Sequence, residues 1–332
     1  MKIKQSIDIN SVVNSLIGKT CLENVDQWNS QIRALSKAIT FVENDPLLAP
    51  KLLSHPNLST SAIMQARIIG ITGLPGAGKS TLTNLLVKEL RQLGKKVAIF
   101  AVDPSSSLTG GAILGDRVRM QDHFRDPNVF IRSMGSRGAL GGVARATRSA
   151  IRLASVLNFD YILVETVGIG QSESEITSLA DSTVLVLMPN SGDEIQLMKS
   201  GILQLANIYI INKCDLADAS RMIQELKENI TPNAENLWHP PVLKTSAANH
   251  EGIQDVVKSF LQHEEFEKNS SIGKKLRFLR LRNEILQNIL ILADEVFQEK
   301  VKQISIEEIE LLSLGKTTAM SIANAIFQKE LK

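Results

Sequence analysis

The chain has 332 residues, 43% of them apolar, and a net charge of +2. That length holds one large domain or two to three small ones, and the balanced charge gives no ground for nucleic-acid or membrane binding. The two cysteines, Cys21 and Cys214, exclude a disulfide framework and a Cys-only zinc site.

The first residues lack the apolar core of a signal peptide. No apolar run reaches the roughly 18 residues of a spanning helix. A cytoplasmic protein in a reducing compartment is expected. Residues 1–26 carry weak signals and predict a partly mobile lead-in. Over 27–45, Trp28, Ile32, Leu35, Ala38, Ile39 and Val42 fall close to helical spacing. Asn44, Asp45 and Pro46 stop that helix, and a short helix follows over 46–54. A helical layer thus precedes the first strand.

Ile68 to Ile71 reads as a buried strand. Gly73 to Ser80 then fits G-x-x-x-x-G-K-[ST], the P-loop pattern. Gly73, Gly76 and Gly78 free the backbone so that N–H groups of the loop, which also contains Leu74, Pro75 and Ala77, can converge on a phosphate. Lys79 supplies positive charge to the β/γ-phosphates, and the Ser80 hydroxyl is placed to ligate Mg²⁺. Thr81 is expected to start the helix whose N-terminus faces the phosphates.

A second strand, Val97 to Val102, ends in Asp103 and Pro104. Asp103 lies where ligands of open α/β sheets bind; it is either a metal ligand or a turn aspartate before proline. The glycine-rich stretch from Thr109 to Met120 reads as a switch loop, with Asp116 a second candidate for the metal or the attacking water. Val129 to Met134 is a strand. Val143 to Leu157 is a helix whose Arg145, Arg148 and Arg152 read as a solvated face, a phosphate contact by one of them being the minority reading. Residues 160–168 give a strand ending in Glu165 and Gly168, like a Walker B or D-x-x-G element with glutamate for aspartate. The carboxylate would meet Mg²⁺ or its waters, and the Gly168 N–H the γ-phosphate. A Ras-like protein carries glutamine right after this glycine; here Ile169 stands there and Gln171 comes two residues later. Slow intrinsic hydrolysis is expected unless a partner completes the site.

Thr183 to Met188 is another buried strand. It leads to a polar loop with Asp193 and Gln196 and a helix carrying Lys199; Asp193 is either a ligand-sensing group or a helix cap. Ile208 to Ile211 precedes Asn212, Lys213, Cys214 and Asp215, an N-K-x-D pattern. A carboxylate at Asp215 accepts two hydrogen bonds from guanine N1–H and N2–H₂, a pair adenine cannot supply. Such a bidentate bond to a charged acceptor is worth about 3 kcal/mol, or on the order of a hundredfold. The Lys213 stem can stack on the base. A last strand, Val242 to Lys244, runs into Thr245, Ser246 and Ala247, similar to a loop whose backbone N–H bonds guanine O6. From 251 onward the pattern is helical, with a face at Ile253, Val256, Val257, Phe260 and Leu261. A long helix over 272–302 begins with five basic residues, and two short helices cover 305–314 and 317–331. The basic start reads as a solvated face or an acidic-partner contact.

These motifs resemble the MeaB/ArgK/MMAA family of P-loop GTPases, of the SIMIBI kind. The resemblance runs through Ala38 to Asn44, Ile69 to Thr81, Val102 to Ser106, Thr109 to Met120, Glu165 to Glu173, Gly192 to Gln196 and Asn212 to Asp215. It covers roughly residues 27–262, with a weaker match at Gly315 to Ala319. It implies an α/β P-loop NTPase with a mostly parallel sheet flanked by helices. Its parts would be an N-terminal helical segment (1–65), a GTPase domain (66–262) and a C-terminal helical segment (263–332) that makes a homodimer. The implied activity is GTP hydrolysis by a chaperone that gates adenosylcobalamin loading of an acyl-CoA mutase, methylmalonyl-CoA mutase above all. Asp103, Asp116 and Glu165 would serve Mg²⁺ and hydrolysis, and Asp193 to Lys199 would form a switch toward the partner. The cobalamin signature D-x-H-x-x-G is absent from the sequence, so the cobalamin is expected on the partner. Two other readings are a metal-inserting GTPase, which five scattered histidines disfavour, and an ATPase or kinase of lysine/arginine/ornithine transport, which Asp215 disfavours.

Overall fold

The strand carrying the phosphate-loop pattern, β1 (Arg67–Gly73), is buried at every residue and lies inside a seven-stranded sheet. The computed structural model describes residues 8–18, 25–45, 48–58, 66–103, 120–135, 142–166, 178–189, 202–230 and 238–330. The other strands are β2 (Val97–Asp103), β3 (Val129–Gly135), β4 (Tyr161–Thr166), β5 (Ser182–Leu187), β6 (Ile208–Ile211) and β7 (Val242–Lys244). Their order is β3-β2-β4-β1-β5-β6-β7, and every pairing is parallel. Parallel sheets are covered on both faces, which is why these segments read as unbroken apolar runs. All seven strands match their expected positions to within a residue or two; β4 begins at Tyr161 and ends at Thr166, two residues before the expected Gly168.

Alternation along the strands feeds two cores. On one face Ile69, Ile71 and Leu163 pack with Leu82 and Leu86 of α4 (Lys79–Gln92) and with Val256 and Phe260 of α7 (Ile253–Asn269). On the other, Ile68, Ala98, Phe100 and Ile162 meet α1 (Ile9–Ile17), α2 (Val25–Asn44), α3 (Leu48–Leu53) and α5 (Gly142–Ser155). The N-terminal helices are therefore one of the sheet's two covers. Where a partly mobile lead-in was expected, residues 9–17 form a helix: Asp8 caps it, accepting from the Ser11 N–H, and Val13 and Leu16 are buried. One further helix, α6 (Ser220–Asn229), follows β6 with Met222 and Leu226 inward.

At the amino edge of the sheet, away from the phosphate loop, four polar side chains meet in the interior. Arg67 of β1 donates to Glu267 of α7 and to Ser182 Oγ of β5 at 2.8 Å. Its Nη2 and Ser182 Oγ lie 3.0 and 2.7 Å from His263 Nδ1. The network ties the roots of two adjacent strands to one helix.

The chain divides into two compact units, residues 1–277 and 278–332, and the division falls inside α8 (Ser271–Val301). The second unit holds the rest of α8 with α9 (Ile306–Ser313) and α10 (Ala319–Glu330). Within it Phe297 stacks on Phe327 with centroids 5.3 Å apart. A reciprocal box between Ser305 and Glu308 caps α9, satisfying two helix-end donors at once.

Candidate functional site

β1 leaves the sheet between β4 and β5, where Ile71 pairs with Glu165 and Gly73 with Val186. This is the strand-order reversal at which open α/β sheets take ligands. Gly73 has φ +142°, and a Cβ there would stand 2.0 Å from the Val186 carbonyl oxygen. A side chain is excluded both by conformation and by the neighbouring strand. The chain then turns through Leu74, exposed Pro75 and Gly76, and buried Ala77 to Gly78. Gly78, at φ +87°, would place a Cβ 2.5 Å from Asn212 Nδ2. Glycine is what lets the loop close on the base-recognition motif.

The helix begins at Lys79, two residues before the expected Thr81, which is exposed. Lys79 is buried, and its Nζ donates to the carbonyls of Gly73 and Leu74 at 2.8 and 2.9 Å. The ammonium braces the loop from inside. Ser80 Oγ donates to Glu165 Oε1 at 2.6 Å across the gap between α4 and β4. Adjacent oxygens in an octahedral magnesium shell lie ~3.0 Å apart, given metal–oxygen distances of ~2.1 Å. The hydroxyl and the carboxylate are thus close enough to occupy neighbouring positions on one such ion. The backbone of Asp103 ends β2 next to this pair, because Ala101 and Val102 pair with Glu165 and Thr166.

On the other side, β6 and β7 deliver two loops. Asn212, 1% exposed, joins them to the phosphate loop: its Nδ2 donates to the Ala77 carbonyl at 2.8 Å. Its Oδ1 accepts from Thr245 Oγ1 at 3.0 Å and from the Ala247 N–H at 3.1 Å. Lys213 takes a left-handed φ of +60°, which turns the chain so that the Cys214 N–H reaches the Thr245 carbonyl. Burial pushes the Cys214 thiol above its ordinary pKa, against the lowering effect of a hydrogen bond between the thiol and the Thr245 backbone. Asp215 is exposed, and one of its oxygens accepts from Ser246 Oγ at 2.6 Å. The same Ser246 oxygen accepts from the Asn249 N–H, and an antiparallel bridge to Glu251 closes the loop.

The described candidates from Gly73 to Thr81, with Glu165, Asn212, Lys213, Asp215 and Thr245 to Ala247, lie at one edge of the sheet, the carboxyl ends of its strands. Asp116, Gly168, Asp193, Gln196 and Lys199 lie outside the described residues, as does the side chain of Asp103. Sequence reasoning singled out Asp215 and Lys213 in the base motif and gave Asn212 no linking role. It also left out Glu251 and Gly252, the residues that close the base loop. At Gly252, a Cβ would lie 2.2 Å from the Lys244 carbonyl oxygen; a glycine shortly after the Thr245 to Ala247 loop was the available signal.

A parallel sheet whose central strand turns through glycines into a helix headed by Lys79 and Ser80 defines a P-loop nucleoside triphosphatase. Within that class the relatives make this chain a GTPase. It belongs to the family of the methylmalonyl-CoA mutase-associated GTPase MeaB, which matches residues 35–303. A GTPase of Pyrococcus abyssi is 41% identical over 291 residues, spanning 84% of this chain and 89% of that one. The mouse mitochondrial protein named methylmalonic aciduria type A homolog is 40% identical over 193 residues, 57% of this chain and 46% of its own. The crystal structure of an LAO/AO transport system kinase shares the fold, with a TM-score of 0.62 over 98% of both chains and 22% identity. Among the described residues, no helix is long and apolar enough to cross a membrane.

Proposed function

We propose that this GTPase is the nucleotide-driven chaperone of an adenosylcobalamin-dependent acyl-CoA mutase, methylmalonyl-CoA mutase above all, and that GTP gates loading and protection of the mutase's cofactor. The observation that carries this reading is the Asn212 bracket between the phosphate loop and the base loop, in a chain whose residues 35–303 match the mutase-associated family. A bracket of this kind makes the phosphate loop and the base loop respond together, as a switch requires.

In this reading the loop from Gly73 to Gly78 wraps the phosphates with backbone N–H groups, and Lys79 exchanges its two carbonyl partners for phosphate oxygens. Ser80 and Glu165, with Asp103 and Asp116, would hold magnesium, which would supply positive charge against the negative charge that develops on the phosphates during transfer. The Gly168 N–H bonds the γ-phosphate. Asp215 accepts from the guanine N–H groups with Ser246 fixing its orientation, the Lys213 stem covers the base, and the Ala247 loop meets O6. Asp193, Gln196 and Lys199 carry the nucleotide state to the mutase, and the C-terminal helices join two copies into a homodimer. In this reading the cobalamin sits on the mutase, and the protein works in the cytoplasm.

The test is GTP hydrolysis with and without purified methylmalonyl-CoA mutase from the same cell. A large acceleration together with a stable complex is expected. Unchanged hydrolysis and no complex would remove this client while leaving the GTPase.

A further inference from the structure

In the polar cluster at the amino edge of the sheet, the His263 ring is 1% exposed and faces a guanidinium. Arg67 Nη2 donates to Ser182 Oγ at 2.8 Å and to His263 Nδ1 at 3.0 Å. A guanidinium only donates, so Nδ1 is an acceptor. The Ser182 hydroxyl, 2.7 Å away, donates to the same atom. The ring is therefore neutral, with its one proton on Nε2. A second proton has to go on Nδ1. There it breaks both bonds and sets a like charge against Arg67 away from water, the two effects that most oppose an imidazolium.

The carboxylates around the ring do not reverse this. Glu267, one turn along α7, is paired with Arg67, and Glu264 with Lys268. On β4, Tyr161 is a neutral phenol, and Asp160 before it meets Lys95. Before β5, Asp181 accepts from the Ile68 N–H. The Trp238 ring lies edge-on to the imidazole with centroids 4.7 Å apart; His239 after it is exposed, as are Lys274 and Lys275 at the start of α8. What the ring holds is the far end of α7. That helix stops at Asn269, the Gly273 N–H donates to Ser270 Oγ at 2.8 Å, and a Cβ at Gly273 would stand 2.3 Å from Glu267 Cα. The corner into α8 is thus folded onto the turn that Arg67 holds to β1.

We propose that His263 is an acid-sensitive latch: a proton on Nδ1 expels Arg67 and Ser182 from the ring and frees the end of α7, with its corner into α8, from the roots of β1 and β5. Closed, the ring stays neutral; open, it takes a proton near pH ~6.5. Its contribution to the closed state is therefore complete above that pH and is lost as the pH falls.

The test is hydrogen exchange on the full-length protein at about pH 7 and about pH 5.5, corrected for the pH dependence of unprotected exchange, with His263→Asn alongside. Asparagine keeps an acceptor near the Nδ1 position and does not titrate. Between the two conditions the opening of residues 262–275 is expected to rise about eightfold relative to α4, and by less than about twofold in His263→Asn. Nitrogen NMR of the histidine-labelled, unsubstituted protein reads the ring directly, assigned through its contacts with Trp238; Nδ1 is expected to carry no proton at either pH. No loss of protection at the end of α7, or the same loss in the variant, overturns the latch. An imidazolium at His263 in the folded protein at about pH 5.5, below the ordinary ~6.5, overturns the neutral ring on which the latch rests, whether or not the variant folds.

Discussion

Asn212 Nδ2 donates to the Ala77 carbonyl at 2.8 Å, and this one buried amide connects two loops 135 residues apart. Its oxygen serves Thr245 and Ala247 at the same time. These three bonds tie the phosphate loop to the base loop, so the two cannot shift independently. Replacing Asn212 with alanine strands a carbonyl, a hydroxyl and an N–H, at about 1–3 kcal/mol for each group left unsatisfied. We expect Asn212→Ala to weaken GTP and GDP binding by about tenfold or more, since each ~1.4 kcal/mol is a factor of ten. The melting temperature of the nucleotide-free protein should fall as well. Fluorescent-nucleotide titration and a thermal melt read the two effects, and an unchanged affinity would show that the bracket does not hold the site.

Asp215 presents a carboxylate already oriented by Ser246. Substitution by asparagine replaces one acceptor oxygen with a donor, which opposes guanine N2–H₂ and matches the carbonyl of xanthine. Asp215→Asn is expected to lower GTP affinity by on the order of a hundredfold, consistent with ~3 kcal/mol for bonds to a charged acceptor, and to improve binding of xanthosine triphosphate. Competition between the two nucleotides on both proteins measures this. GTP affinity equal to that of the unsubstituted protein would sink the assignment of the base.

The parts of the candidate site were legible because they are local. Gly73 to Ser80 and Asn212 to Asp215 are short runs at strand ends, and the apolar runs before them marked those ends. What joins the parts was not legible. The bonds of Asn212 to Ala77, of Ser80 to Glu165 and of Arg67 to Glu267 cross 135, 85 and 200 residues, and no periodicity records which strand lies beside which. The helix α1 is a different case. Its Val13 and Leu16 gain burial only against other N-terminal helices and the far face of the sheet, so nine residues alone gave a weak signal.

The chain contains two tyrosines, and both are buried. Burial pushes each phenol up to about 12, from 10.0; at Tyr161 the nearby Glu264 and Asp160 add to the rise and Arg67 opposes it. The unfolded chain ionises near 10 and the folded one near 12, so this stabilising contribution is complete below pH 10 and is lost as the pH climbs toward 12. Tyrosinate absorbance should therefore stay flat through about pH 10.5 and then rise together with loss of the helical circular dichroism signal. A rise near pH 10 with the fold intact would contradict the burial of these rings.

Arg67 and Glu267 are an ion pair with side chains 10% and 5% exposed. Two charges so placed carry a large desolvation cost, which their attraction and the bonds to Ser182 and His263 offset. Removing one partner leaves the other charge buried and is expected to cost about 3–5 kcal/mol, whereas replacing both with apolar groups of similar volume is often neutral. Arg67→Met and Glu267→Met should each shift urea unfolding strongly, and the double variant should recover most of the loss. Because the pair lies at the sheet edge opposite Lys79, guanine-nucleotide affinity in the folded variants should stay within about twofold, less than ~0.5 kcal/mol. Single substitutions costing under about 1 kcal/mol, well short of the buried-pair range, would mean that the cluster is hydrated and that α7 is held by its apolar contacts, Ile253, Val256, Val257 and Phe260 among them.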